Sequence, residues 1–220
     1  MGVTPNAVKW VGTEEPATLR GPTWSTGTTR QGDPDDSKNF VPAGCDTVML
    51  TPHHWFEGPP SKVRSLQSLV DAYHASVGSN CVLELGMAVD KTGRVPEAQV
   101  ARAQEFGKWV RDCYGTPLGS ASSSAPGATL LTISLPKPLA IDRVSIMEDL
   151  RFGQLVRSYT VSVQVSGNST WQPFSRGSAV GHKRIDLLGH PAVMATAVRL
   201  NVTASVAPPR IRRLAAFGPC

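Results

Sequence analysis

The apolar residues of this chain change their period near Thr116, and that change limits the folds open to it. Upstream, Val63, Leu66, Leu69, Val70, Tyr73 and Val77 recur at three- and four-residue steps, which predicts an amphipathic helix. Gly78-Ser79-Asn80 supplies its stop signal. Cys81-Val-Leu-Glu-Leu85 then reads as a short, mostly buried strand, suited to a parallel sheet covered on both sides. Beyond Pro96, which fits a first helical turn, Val100, Ala103, Phe106, Trp109, Val110 and Cys113 carry a second helical stripe. Helix, strand, helix over 63–114 is the alternation of an α/β unit.

On either side of this unit the pattern differs. Residues 1–60 show no period. Pro, Gly, Thr and Asp dominate there, punctuated by Trp10, Trp24, Phe40, Trp55 and Phe56, and the stretch reads as an irregular loop system. Residues 117–128, with the run SASSSAPGA, are dominated by small residues and Pro and read as a linker. After it TLLTISL (129–135), IDRVSIM (141–147), SYTVSVQV (158–165), ATAVRLNV (195–202) and RIRRLAAF (210–217) alternate or are β-branched, with turn residues between them. Short strands at such spacing predict an antiparallel β-sandwich. The expected organisation is an α/β segment over 1–116, a linker over 117–128 and a sandwich over 129–220.

Composition narrows the function classes. Hydrophobic content of 40% with 18% charged residues is globular rather than disordered. The formal charge of +5 raises a nucleic-acid partner, but Lys183-Arg184 and Arg210, Arg212, Arg213 are short clusters without interleaved aromatics. They read as solvated surface, and no nucleic-acid partner is expected. No run of 18 apolar residues occurs, so no membrane span is expected. The start, Met-Gly-Val-Thr-Pro-Asn, lacks the basic segment and apolar stretch of a signal peptide.

Cys45, Cys81, Cys113 and Cys220 have no CxxC spacing and no clustered His, so neither a zinc site nor another cofactor is expected. Four cysteines allow two disulfides by three connectivities, or none. Asn168-Ser-Thr and Asn201-Val-Thr are glycan acceptors if the chain enters a secretory pathway.

Five stretches, in order, carry a resemblance: KWVGTEE (9–15), FVPAGCDTVMLTPHHWFEGPP (40–60), SLQSLVDAYHASVGSNCVLELGMAVDKTGRVPE (65–97), EFGKWVRDCYGTP (105–117) and GHKRI (181–185). Their sequence and order resemble plant and bacterial α-L-fucosidases of glycoside hydrolase family twenty-nine. The resemblance implies the closing part of a (β/α) barrel, a TIM-like barrel remnant, followed by a galactose-binding-like sandwich. It also implies a retaining exo-glycosidase acting on terminal α-L-fucose of glycans. Retention needs two carboxyl groups about 5–5.5 Å apart, one a nucleophile and one an acid/base.

By this resemblance Glu14, closing KWVGTE where the family shows RWVGNE, holds the acid/base position. Trp55 and Phe56 fall in a loop bordering the substrate site, where aromatic faces stack on the apolar side of a sugar. His53 and His54 have no carboxylate at useful spacing and read as structural or exposed. The family's nucleophilic aspartate lies upstream in a WxDG-type strand end, and Asp33, Asp35, Asp36 and Asp46 sit in no such motif. Glu57-Gly-Pro-Pro and Gly86 depart from the family's His-Pro-Gly run and asparagine.

A closed barrel takes about 250 residues, so the expectation is a chain without the nucleophile-bearing half and inactive alone. Its partners are then a fucosylated glycan in the complete enzyme, or, in the alternative of a non-catalytic accessory subunit, a protein covering the open barrel edge. In the sandwich, Trp171 and Phe174 form the one close aromatic pair that could face a sugar. The family's habits point to a secreted or lysosomal protein, and a genuine start at Met1 would point to an intracellular scaffold. Cys45–Cys81 is the first disulfide to test.

Overall fold

A computed structural model of the protein describes residues 7–11, 23–29, 32–36, 39–52, 54–56, 58, 61–123, 125–188 and 191–220. Its first unit is a three-stranded parallel sheet in the order β1 (Lys9–Trp10), β2 (Ala43–Val48), β5 (Cys81–Gly86). A short antiparallel ribbon of β3 (Leu50–Thr51) and β4 (Lys62–Val63) follows β2. Helix α1 (Leu66–Ser76) starts where Ser65 caps it, its hydroxyl accepting from the Ser68 amide at 3.2 Å. Helix α2 (Glu97–Tyr114) starts after Pro96, which stands just outside the helix rather than in its first turn.

The predicted helices and the strand at 81–85 are present. The reading of residues 1–60 as irregular is corrected, because the central strand β2 lies there. Five of its six residues are buried, so it offers no alternation to read. The two faces of the sheet differ. Leu83 and Leu85 point toward the helices, where Leu69, Tyr73, Phe106, Trp109 and Met49 complete an apolar cluster, and Cys45 and Cys81 join Val11, Ala43 and Ala75 in a smaller one. The opposite face carries Val82, Glu84, Trp10 and Asp46, and Val82 is 61% exposed.

The second unit has two four-stranded antiparallel sheets. One runs β10 (Trp171–Gly177), β9 (Val156–Val165), β12 (Val193–Ser205), β7 (Leu130–Ile141). The other runs β11 (Arg184–Leu187), β8 (Arg143–Glu148), β13 (Ile211–Phe217), β6 (Gly119–Ala121). They share one core: Leu131, Val161, Val163, Val198 and Leu200 from the first sheet meet Val144, Ile146, Ile211 and Leu214 from the second.

Three residues of the stretch read as linker, Gly119–Ala121, instead form an edge strand on β13. At its first residue the small size has a steric reason. A Cβ on Gly119 would lie 2.6 Å from Ile133 Cγ2, so the opposite sheet leaves room for nothing larger.

The units are joined along a polar and aromatic seam. The turn after α1 pairs with β11: the Ile185 amide donates to Gly78 and the Asn80 amide donates to Lys183, both at 2.9 Å. Asn80 adopts a φ of 65°. Its side-chain amide donates to the Thr23 carbonyl at 2.9 Å and the Ser25 hydroxyl at 3.0 Å, while its oxygen accepts from the His182 amide at 2.7 Å. Gly181 is required beside it, having a φ of +64° and no space for a Cβ, which would lie 2.2 Å from the Asn80 side chain.

Further along the seam Arg143 donates to the Cys113 carbonyl at 3.1 Å and lies over the Tyr114 ring, 5.1 Å from its centroid. Tyr114 meets Phe217 at 5.2 Å between ring centroids and shares a 2.6 Å hydrogen bond with His74. Disulfides join Cys45 to Cys81 and Cys113 to Cys220, with Cα separations of 5.8 and 5.6 Å.

Two outcomes follow from the seam. Burial, reinforced by the Arg143 charge, lowers the His74 pKa to about 4, whereas an unfolded imidazole protonates near about 6.5. Between those values the unfolded chain binds more protons, so stability falls as pH drops from about 6.5 to about 4. Thermal midpoints across that window will show a shallower slope for His74→Gln than for the wild type.

Replacing Cys113 and Cys220 together by Ser opens a closure spanning 107 residues. In the loop-entropy account this costs about 4–5 kcal/mol, readable by denaturant unfolding.

Candidate functional site

Parallel strands deliver their following loops to one end of a sheet, the end where α/β proteins build their sites. Here that end is formed by the residues after Trp10, after Val48 and after Gly86. The loop after β2 is closed at its base by the β3–β4 ribbon, Thr51 opposite Lys62, and carries Trp55 and Phe56 at its far end. Phe56 bridges Val89 in parallel fashion, tying this loop to the one after β5. The second loop is stiffened by Asp90. Its carboxylate accepts from the Thr92 hydroxyl at 2.6 Å and the Thr92 and Arg94 amides at 2.8 and 3.0 Å, and these bonds hold its pKa below the usual carboxylate value.

Trp55 is 62% and Phe56 70% exposed. Large aromatics so open cost apolar hydration, and each offers a ring face on which an apolar ligand face can stack. Glu14 and His53 lie outside the described residues. His54 is half-buried, and its Nε2 is enclosed without a hydrogen-bond partner.

Asp46 and Glu84 were not singled out as a pair in the sequence. They are register partners on β2 and β5, on the face away from the helices. Each sits two residues below its strand's end, about 6–7 Å beneath the loops at the usual strand rise. Their pairing across a parallel ladder has no signature in sequence spacing.

Lys9, on β1, is buried, and its ammonium group is directed at the carbonyls of Trp24, Thr26 and Gly27. Desolvation lowers its pKa to about 8.

The aromatic pair of the second unit is not an open face. Phe174 belongs to the shared core, and Trp171 is covered by the Arg199 guanidinium 4.1 Å from its ring centroid. Among the described residues no helix is long and apolar enough to cross a membrane.

Because Trp55 and Phe56 are exposed, replacing either by Ala will leave the unfolding midpoint nearly unchanged, within about 0.5 kcal/mol by denaturant titration. Phe106→Ala, in the cluster under the sheet, will cost about 3–5 kcal/mol.

No protein-family model matches the chain. Alpha-L-fucosidase 1 of Arabidopsis thaliana is 25% identical over 81% of this chain and 43% of its own length. A rice protein (Oryza sativa subsp. japonica) also carrying an α-L-fucosidase name is 24% identical over 86% of this chain and 41% of its own length. The chain thus spans less than half of the curated relatives it matches.

Among solved structures, a Bacteroides thetaiotaomicron protein described as an α-L-fucosidase superposes with a TM-score of 0.87. It is 31% identical, and the match covers 97% of this chain and 51% of that one. A Ruminococcus gnavus family twenty-nine fucosidase, solved with fucose, gives a TM-score of 0.84 at 22% identity over 97% of this chain and 51% of its own. Over nearly its whole length the chain is thus similar, in sequence and in backbone, to the C-terminal part of α-L-fucosidases.

Proposed function

We propose that the protein supplies the acid/base side and the aromatic wall of a retaining α-L-fucosidase site. The observation that carries this reading is the open Trp55–Phe56 surface at the ends of three parallel strands, in a chain following a fucosidase fold over 97% of its length. The parallel sheet with α1 and α2 is then the closing segment of a (β/α) barrel, and the two-sheet unit is its galactose-binding-like sandwich. In this reading the barrel segment runs to about residue 116, and the sandwich takes in β6 (Gly119–Ala121) ahead of 129–220.

Glu14 is the acid/base in this proposal. As an acid it protonates the glycosidic oxygen while a carboxylate on the other side of the sugar attacks the anomeric carbon. As a base it then takes a proton from the water that hydrolyses the glycosyl intermediate. Trp55 and Phe56 stack against the apolar face of a terminal fucose on a glycan. The nucleophile comes from the part of the enzyme outside the span matched here, so this chain by itself is inactive. Oxidised Cys45–Cys81 and Cys113–Cys220 support a secreted or lysosomal setting, since such bridges persist in oxidising compartments.

A second reading rests on the exposed face of the sheet. Val8, Trp10 and Val82 are all more than half exposed, and a cavity of about 610 Å³ opens beside β5, lined by Phe40, Val82, Phe106 and Val110. An accessory subunit would lay this face on another polypeptide.

The deciding experiment assays a nitrophenyl α-L-fucoside with the purified chain alone and after mixing with a separately expressed N-terminal portion of a relative. Expected are no turnover alone and turnover on mixing, reduced about 10²–10⁴-fold by Glu14→Gln. Turnover by the chain alone that Glu14→Gln leaves intact would sink the proposal. Stable association without turnover would favour the accessory subunit.

A further inference from the structure

The two sequons occupy opposite backbone settings. Asn168 sits in the exposed turn between β9 and β10, with 166–170 all exposed. Its amide donates to the Val165 carbonyl at 3.0 Å, and Gly167 makes the turn with a φ of +81°. The Asn168 side-chain oxygen accepts from both the Thr170 amide and the Thr170 hydroxyl at 2.8 Å. These contacts all lie within three residues, so the turn needs no distant part of the chain to form.

Asn201 is half-buried in the middle of β12. It has Leu130 of β7 as its register partner on one side and Thr160 of β9 on the other. Strands β7 and β9 precede β12 in the chain, so β12 finds both partners waiting as it emerges during synthesis. Once paired, the 201–203 backbone is committed to two hydrogen-bonded ladders.

We propose that Asn168 is the preferred N-glycan acceptor of this protein. A transferase must take an acceptor as a free loop of peptide. The 168–170 turn offers that before and after folding, and the 201–203 segment offers it only until its ladders close. Polarisation of the Asn168 carboxamide by the Thr170 hydroxyl makes its nitrogen easier to deprotonate.

In the transfer, the Asn168 Nδ2–C1 bond forms to an oligosaccharide carried on a lipid pyrophosphate. The bond from C1 to the pyrophosphate oxygen breaks, the lipid pyrophosphate leaves with that electron pair, and the amide proton passes to a base of the transferase. No group is oxidised or reduced. The proposal rests on passage through a secretory pathway and is independent of fucosidase activity.

The test expresses the full chain in a eukaryotic host behind an added secretion leader. Total protein, retained and secreted, is read by intact mass before and after enzymatic glycan removal, with occupancy assigned on peptides. Expected is a glycan on the wild type, Asn201→Gln and Thr170→Ser, and its loss in Asn168→Gln and Thr170→Ala. Occupancy at Asn201 equal to or above that at Asn168, or a chain bare at both, overturns the proposal. Reading retained protein as well keeps the outcome clear if a variant folds poorly.

Discussion

The carboxamide of Asn80 is the constraint on which the relation between the two units depends. Its donor and acceptor ends reach the 23–25 segment and the turn at His182, segments more than fifty residues away on either side. An asparagine is suited to this place on two counts. It tolerates a φ of 65° better than other residues with a Cβ, and its side chain satisfies backbone groups that a turn leaves unpaired. Gln154, itself buried, adds its oxygen to the same junction by accepting from the Ser25 amide at 2.8 Å. Buried polar groups stabilise when they are partnered, and the Asn80 carboxamide is partnered at both its donor and acceptor ends, so it fixes one orientation of helix α1 against strand β11. That orientation sets where the ends of the parallel strands point.

Strand direction does the rest. Because β1, β2 and β5 run the same way, residues far apart in sequence arrive at one rim, and the Phe56–Val89 bridge fastens the loop after β2 to the one after β5. The sheet's period of two then sorts chemistry by face. One face gives apolar side chains to the helices, and the other gives Asp46, Glu84 and the open Trp10 and Val82. The rim carries aromatic surface and the face below it carries charge, so a ligand entering from the rim would meet apolar contact first.

Sequence reading succeeded where one face of an element is buried and the other is wet. Helix α1, helix α2 and strands β7, β9 and β12 show that contrast, so their periods survive in the order of residues. It failed where burial has no contrast or where a local signal points the other way. Strand β2 is buried on both sides, and Asp46 in its middle masks even the apolar run. Strand β10 contains Pro173, which argues against a strand, yet it is an edge strand with a register shift between Pro173 and Ser175 that accommodates the ring. Strand β6 looks like linker because its residues are small, and at Gly119 the facing sheet leaves no room for a Cβ. Trp55 and Phe56 could be picked out only through a resemblance, since nothing in a loop's composition says that its aromatics are exposed rather than core.

The cysteines show the same division between local pattern and tertiary fact. Their spacing left three pairings open, and the fold brings Cys45 beside Cys81 through the parallel alignment of β2 and β5, where Ala43 faces Cys81 and Cys45 faces Leu83. Cys113 reaches Cys220 because helix α2 ends where the last strand does, at the Tyr114–Phe217 contact. Both bridges therefore reinforce contacts that packing already makes, one within the sheet and one across the seam. A bridge across the seam acts mainly by restricting the unfolded chain, and the longer the segment it closes the larger that effect. With a seam of polar bonds and one aromatic cluster, rather than a broad apolar interface, the Cys113–Cys220 link is the part of the junction that neither acid nor competing water can dissolve. A junction built this way keeps one covalent tie even as protonation weakens its support from His74.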